Sequence, residues 1–163
     1  DLELGESDTW AALNDIPQGL QTIGIRFNAI TIPAGSTILN ATIQFTCDAP
    51  GAETIQMTIY GENIGNSPAF EEVLYNVTSR TKTNANAVWD VPEWVEAGDA
   101  GEAQKTVDLS GIIQEIINRG DWSSGNSLSI IMEPTIGVAE SSGGREAEAD
   151  VGDDAATITI IYQ

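Results

Sequence analysis

The run Thr157-Ile158-Thr159-Ile160-Ile161-Tyr162 alternates polar with branched apolar side chains along most of its length. Only an extended strand turns that alternation into one buried face and one solvated face. The same signature recurs at Ile23-Gly24-Ile25-Arg26-Phe27, Ile30-Thr31-Ile32, Ile38 to Cys47 and Ile55-Gln56-Met57-Thr58-Ile59-Tyr60. Shorter versions stand at Val73 to Val77, Ala87-Val88-Trp89, Thr106-Val107-Asp108-Leu109 and Leu128 to Met132. Turn-formers such as Pro33-Ala34-Gly35-Ser36 and Asp48-Ala49-Pro50-Gly51 separate them. Short strands at this spacing predict an all-β chain: an antiparallel, jelly-roll-like β-sandwich of two packed sheets.

One segment breaks the period. Ile112, Ile113, Ile116 and Ile117 recur at helical spacing, which predicts a short capping helix over 110–119. Ser110 is the expected N-cap and Gly120 the left-handed stop. Four isoleucines on one face predict a plug for one end of the sandwich rather than a partner-binding helix. No internal repeat or low-complexity linker divides the 163 residues, so one domain spanning 1–163 is expected, with 93–102 a surface loop.

Charge narrows the partners. Six basic residues face 25 acidic ones, for a formal net charge of −19. Nucleic acid and anionic membrane both demand a positive surface, and no run of 18 apolar residues crosses a bilayer. An acidic surface keeps a protein soluble in brine, and it also attracts divalent cations; both readings stand. The start, Asp1-Leu2-Glu3-Leu4, has neither an initiator methionine nor a basic region ahead of an apolar one, and reads as a mature, processed chain. The single cysteine, Cys47, forbids an intrachain disulfide and alternates onto the Phe45 face as a small core residue. A secreted domain without disulfides needs another staple, and a bound metal supplies one. These facts place the chain outside the cell or on its surface, exported by a bacterium or archaeon; the sequons at Asn40 and Asn76 are only permissive for glycosylation.

Catalysis finds little purchase. The chain has no histidine, which removes Ser-His and Cys-His pairs and most zinc sites. No phosphate-cradling glycine loop is present. A carboxylate pair of the glycosidase kind survives in principle, but with 25 acids some pair always lies at a suitable distance. The chain is read as no enzyme.

Calcium is the better use of these acids, because a hard cation takes carboxylate and carbonyl oxygens. No EF-hand loop occurs, so separate loops would have to assemble the site. Three acidic clusters qualify. The first holds Asp1 and Glu3 with Glu6 and Asp8, and the second Asp48 and Glu62 with Glu53 and Asn63. The third runs from Glu140 through Glu146, Glu148, Asp150, Asp153 and Asp154, with a lone Arg145. Calcium is the expected cofactor. Among the aromatics, Trp122 follows the helix and reads as a corner plug. Trp89 and Trp94 flank Asp90-Val91-Pro92-Glu93 and are the candidate sugar-stacking platform.

Several stretches resemble a β-sandwich module that recurs in secreted bacterial proteins. They are Ile23 to Phe27, Ile32-Pro33-Ala34-Gly35-Ser36-Thr37-Ile38, Ala41 to Phe45, Asp108-Leu109-Ser110 with Ile113 to Ile116, Trp122 to Asn126, and Ala139-Glu140-Ser141. The resemblance runs along nearly the whole chain and implies a carbohydrate-binding-module-like or surface-adhesion domain. It further implies that Asp48, Glu62 and Glu140 are metal or packing positions. The chain departs from that pattern where Cys47 and Ala49 flank Asp48 and where Ser142-Gly143-Gly144 replaces a more acidic turn.

Two functions of different classes follow. One is a calcium-stabilised subunit that self-assembles into a homopolymer, as a surface filament, tube or sheath. Terminal strand-like sequence without a catalytic neighbour is what edge-to-edge or donated-strand assembly uses. The other is an accessory module that binds polysaccharide through exposed aromatics.

Overall fold

The computed structural model describes residues 2–4, 21–136, 144–149 and 154–163. Among the described residues the fold is all-β, with antiparallel sheets and one short α-helix. Strands β2 (Ile23–Phe27), β5 (Ile55–Glu62), β6 (Lys82–Val91) and β7 (Leu128–Ile136) form a four-stranded sheet in the order β2-β7-β5-β6. Strands β1 (Leu2–Leu4), β4 (Cys47–Ala49) and β8 (Arg145–Ala147) make a second sheet, ordered β1-β8-β4. Strands β3 (Ile38–Gln44) and β9 (Thr157–Tyr162) pair by themselves.

Alternation sets which side chains meet. In β5, Ile55, Met57 and Ile59 turn inward, and Met57 stands opposite Trp89 of β6. Ala41 and Ile43 of β3 join them in a continuous core with Phe45, Cys47, Ile130 and Met132. Helix α1 (Ser110–Ile117) adds all four of its isoleucines to that core, each at most 1% exposed. Its approach is close: a Cβ on Gly61 would lie 2.6 Å from Ile116 Cδ1, so glycine is what lets the helix sit down on β5. Trp122 plugs its corner as expected, buried, with its indole N–H donating to the Ile32 carbonyl at 3.1 Å.

Several boundaries differ from the sequence reading, each for a local reason. The expected long strand over 38–47 breaks after Gln44, because the Phe45 amide leaves the ladder to donate to the Gln104 carbonyl. Residues 30–32 join no sheet; Ile30 is instead pinned to Gly125 and Asn126 by backbone bonds. The segment 73–77 forms turns, with Tyr75 at φ 65°, rather than a strand. Ser110 is the first helical residue and does not cap the helix. The Asp108 carboxylate accepts both its amide (2.9 Å) and its hydroxyl (2.7 Å). Nor is Gly120 a left-handed stop: the helix ends at Asn118 in right-handed geometry. In contrast, Gly35 does adopt φ 84° in the Pro33–Ser36 turn.

The outer edge of β3 is closed. Ile43 donates to Thr106 Oγ1 (2.9 Å), Ala41 to Asp108 Oδ1 (3.0 Å) and Ile38 to Gln114 Oε1 (2.9 Å). In return Thr106 and Leu109 donate their amides to the carbonyls of Ile43 and Ala41. Residues 106–109, expected as a strand, therefore cap a strand instead of being one.

Candidate functional site

The three acidic clusters, far apart in sequence, contribute to one small sheet. The register puts Glu3 of β1 opposite Glu146 of β8, and Glu146 opposite Ala49 of β4, with an irregularity at Cys47/Ala49 where Asp48 sits. Leu4, Cys47, Arg145 and Ala147 of the same strands are buried, so one face of this sheet belongs to the core. Among the described residues, no group of three or more acids and cysteines is gathered tightly enough to hold a metal ion. Asp1, Glu140, Asp150 and Asp153 lie outside the described residues, and Asp154 is exposed ahead of β9.

Glu62 is corrected. It lies in the four-stranded sheet, is 7% exposed, and bonds to a guanidinium rather than offering oxygens to a cation. Arg80 Nη1 donates to Glu62 Oε2 at 2.8 Å, and the Ser67 hydroxyl donates to the same oxygen at 2.5 Å.

The sugar platform is corrected as well. Trp89 and Trp94 are 2% and 1% exposed, so neither ring offers a face to a ligand. Trp89 stacks on Phe45 with ring centroids 5.9 Å apart and planes within 10°. Trp94 packs on the other side of the same cluster and donates its indole N–H to the Ala103 carbonyl at 2.9 Å. Paired with Gly51 by two backbone bonds of 3.0 Å, it anchors the 93–102 loop to the core.

Exposed rings lie elsewhere, on Tyr75 and Tyr162. Residues 63–81 connect β5 to β6 and fold around Arg80, which uses every guanidinium nitrogen. Nη1 donates to Ser67 Oγ and the Pro68 carbonyl, Nη2 to the Ala69 carbonyl and Asn76 Oδ1, and Nε to the Asn76 carbonyl. Its plane lies 4.0 Å from the Phe70 ring centroid. This knot carries Val73, Leu74 and Tyr75 outward at 62%, 83% and 75% exposure. Alternation had marked these three as strand residues; the positive φ of Tyr75 and the bonds to Asn76 make them a loop tip.

Packing and hydrogen bonding shift several of the titratable groups. Burial pushes the Cys47 thiol above its ordinary value, and the carboxylates of Asp99 and Asp48 push it the same way. A neutral buried thiol is a poor nucleophile. Asp108 and Glu115 move down instead. For each, partial desolvation pulls upward but is outweighed by donated hydrogen bonds: from Ser110 and Ala41 to Asp108, and from Ala85 and Asn84 to Glu115. Both acids act as caps for backbone amides.

No family model matches the chain, and no curated protein matches it significantly. Its function must be argued from these features.

Proposed function

We propose that this chain is a non-catalytic extracellular structural subunit that self-assembles into a surface filament, tube or sheath, with calcium controlling the assembly. The observation that carries the reading is apolar surface left bare on a protein of net charge −19. Val73, Leu74 and Tyr75 project from the 63–81 loop, while Leu39, Ile161 and Tyr162 are exposed at 52%, 52% and 42% on the β3–β9 sheet. Exposed apolar side chains mark contacts, and two such places on one chain suit a repeating subunit. Copies of so acidic a chain repel one another over about 10 Å at moderate salt, so contact waits on screening or on a divalent cation. With 25 acids against six basic residues, the surface supplies the carboxylates through which calcium would bridge or screen neighbouring copies. Burial of Trp89 and Trp94 removes the support for the polysaccharide-binding alternative.

Sedimentation velocity tests this directly. In millimolar calcium or high salt the protein should sediment as assemblies, and in low salt with a chelator as the 17.3 kDa subunit. A monomer under every condition would end the assembly reading. Assembly indifferent to chelator and to salt would remove calcium and screening from it.

A further inference from the structure

The charge-free strands single out one surface. Arg26, Asp48, Glu62, Lys82, Asp90, Glu133, Arg145, Glu146 and Glu3 distribute charge over every other strand, but β3 and β9 carry none. Among the described residues these two strands pair only with each other. Residues 104–114 close the outer edge of β3, whereas among the described residues nothing hydrogen-bonds to the outer edge of β9. Edge strands are commonly blunted with lysine, proline or a bulge that twists the edge away, and Thr-Ile-Thr-Ile-Ile-Tyr has neither of those residues. An unblunted, uncharged edge on a −19 chain is where a second, equally acidic copy meets the least repulsion.

We infer that β9 pairs antiparallel with β9 of a second copy across a two-fold axis, with Ile160 facing its own counterpart. This site rests on the assembling-subunit reading and gives that reading a contact. The register follows from the ladder. Ala41 and Ile43 turn their amides away from β9, toward Asp108 and Thr106, so Ile160 and Ile158 opposite them turn theirs outward too. Tyr162, opposite Ile38, does the same. Centring on Ile160 matches Ile158 with Tyr162 of the other copy and satisfies all of these outward amides. It also sets Thr159 beside Ile161 of the other copy on the solvent face, covering part of the exposed Ile161 side chain at the joint. An open groove flanks these residues, walled on its far side by Ala29, Ile30, Thr31 and Ile32.

The test uses the full chain. Thr159 is exposed, so Thr159→Glu should leave the melting temperature unchanged while weakening self-association roughly tenfold or more. An equimolar mixture of Thr159→Cys and Ile161→Cys chains, oxidised in calcium, should give a disulfide-linked dimer. Residues directly opposed on a ladder bring their Cβ atoms within reach of such a bond. Assembly undiminished by Thr159→Glu, or a mixture that assembles without cross-linking, would overturn the β9 joint and leave the assembly reading intact. Wild-type chains that never associate would overturn both.

Discussion

Arg80 and Arg145 are two of only six cations in the chain, and both point inward. They do different work with the same group. Arg80 meets a buried carboxylate, Glu62, and gathers the carbonyls of Pro68, Ala69 and Asn76 around itself. The bonds described for Arg145 go to carbonyls: Nε to Pro92 at 3.0 Å and Nη2 to Glu53 at 2.8 Å. Burial pulls its guanidinium below its ordinary value, with the Glu93 and Glu53 carboxylates pulling the other way. One arginine thus organises the loop that carries the apolar tip; the other ties two loops to the acidic sheet. A planar fork of donors can do both, and a lysine could do neither fully. In a chain so short of cations, these two are committed to holding loops in place.

Removing Arg80 should be the costlier change. Arg80→Ala leaves the Glu62 carboxylate buried without its cation, a defect that costs about 3–5 kcal/mol. Glu62→Gln placed in the same chain should recover a large part of that loss, because the stranded charge is gone. Urea midpoints of the single and double variants measure both effects. Equal stability of the two variants would mean that backbone bonds, not the buried pair, carry the contribution of Arg80. A protease nick within 63–81 of Arg80→Ala, absent from wild type, should accompany the loss.

Arg145→Ala strands the carbonyls of Glu53 and Pro92, a loss of about 2 kcal/mol from those two bonds. Arg145→Lys should fall between, keeping the charge but not the geometry that reaches both acceptors. If Arg145→Ala proves the more damaging of the two arginine truncations, the contrast between the two staples is reversed.

These staples also mark where the sequence could be read and where it could not. Strand β9 matches its alternating run residue for residue, and the isoleucine stripe of α1 is buried as the helical period requires. Trp89 was legible too. Along β6, Thr83, Trp89 and Val91 are buried while Asn84, Val88 and Asp90 are exposed, so the period placed Trp89 inward even as its neighbouring turn residues suggested a surface. Trp94 had no such period, and its burial depends on Phe45 and Gly51, far away in the chain. The same holds for Glu62, whose partner is 18 residues on, and the strand-like pattern of 73–77 yields to the loop that this pair closes. Contacts that close a loop leave no local signature.

Asp108 offers the mirror image of the arginines, an anion that gathers donors, and its expected effect is the smallest. It accepts the amides of Ala41 and Ser110 and the Ser110 hydroxyl, so one carboxylate both caps α1 and closes the β3 edge. Asp108→Ala should cost about 1 kcal/mol at neutral pH, in line with the loss of a helix cap. The pH dependence fixes the cause. Because folding holds the Asp108 carboxyl below its ordinary value, its contribution is complete above that ordinary value. It is lost as pH falls through the depressed folded value, where folding no longer favours the ionised form. Glu115, shifted the same way, fails over the same acidic window. Protonating the remaining acids meanwhile relieves the self-repulsion of the −19 chain, so wild-type stability should hold or rise on mild acidification before it falls. Denaturation of wild type and Asp108→Ala across that range should show their gap narrowing toward strong acid. A gap that stays constant with pH would assign the effect to packing, and the β3 edge would then owe its closure to Thr106 and Gln114 instead.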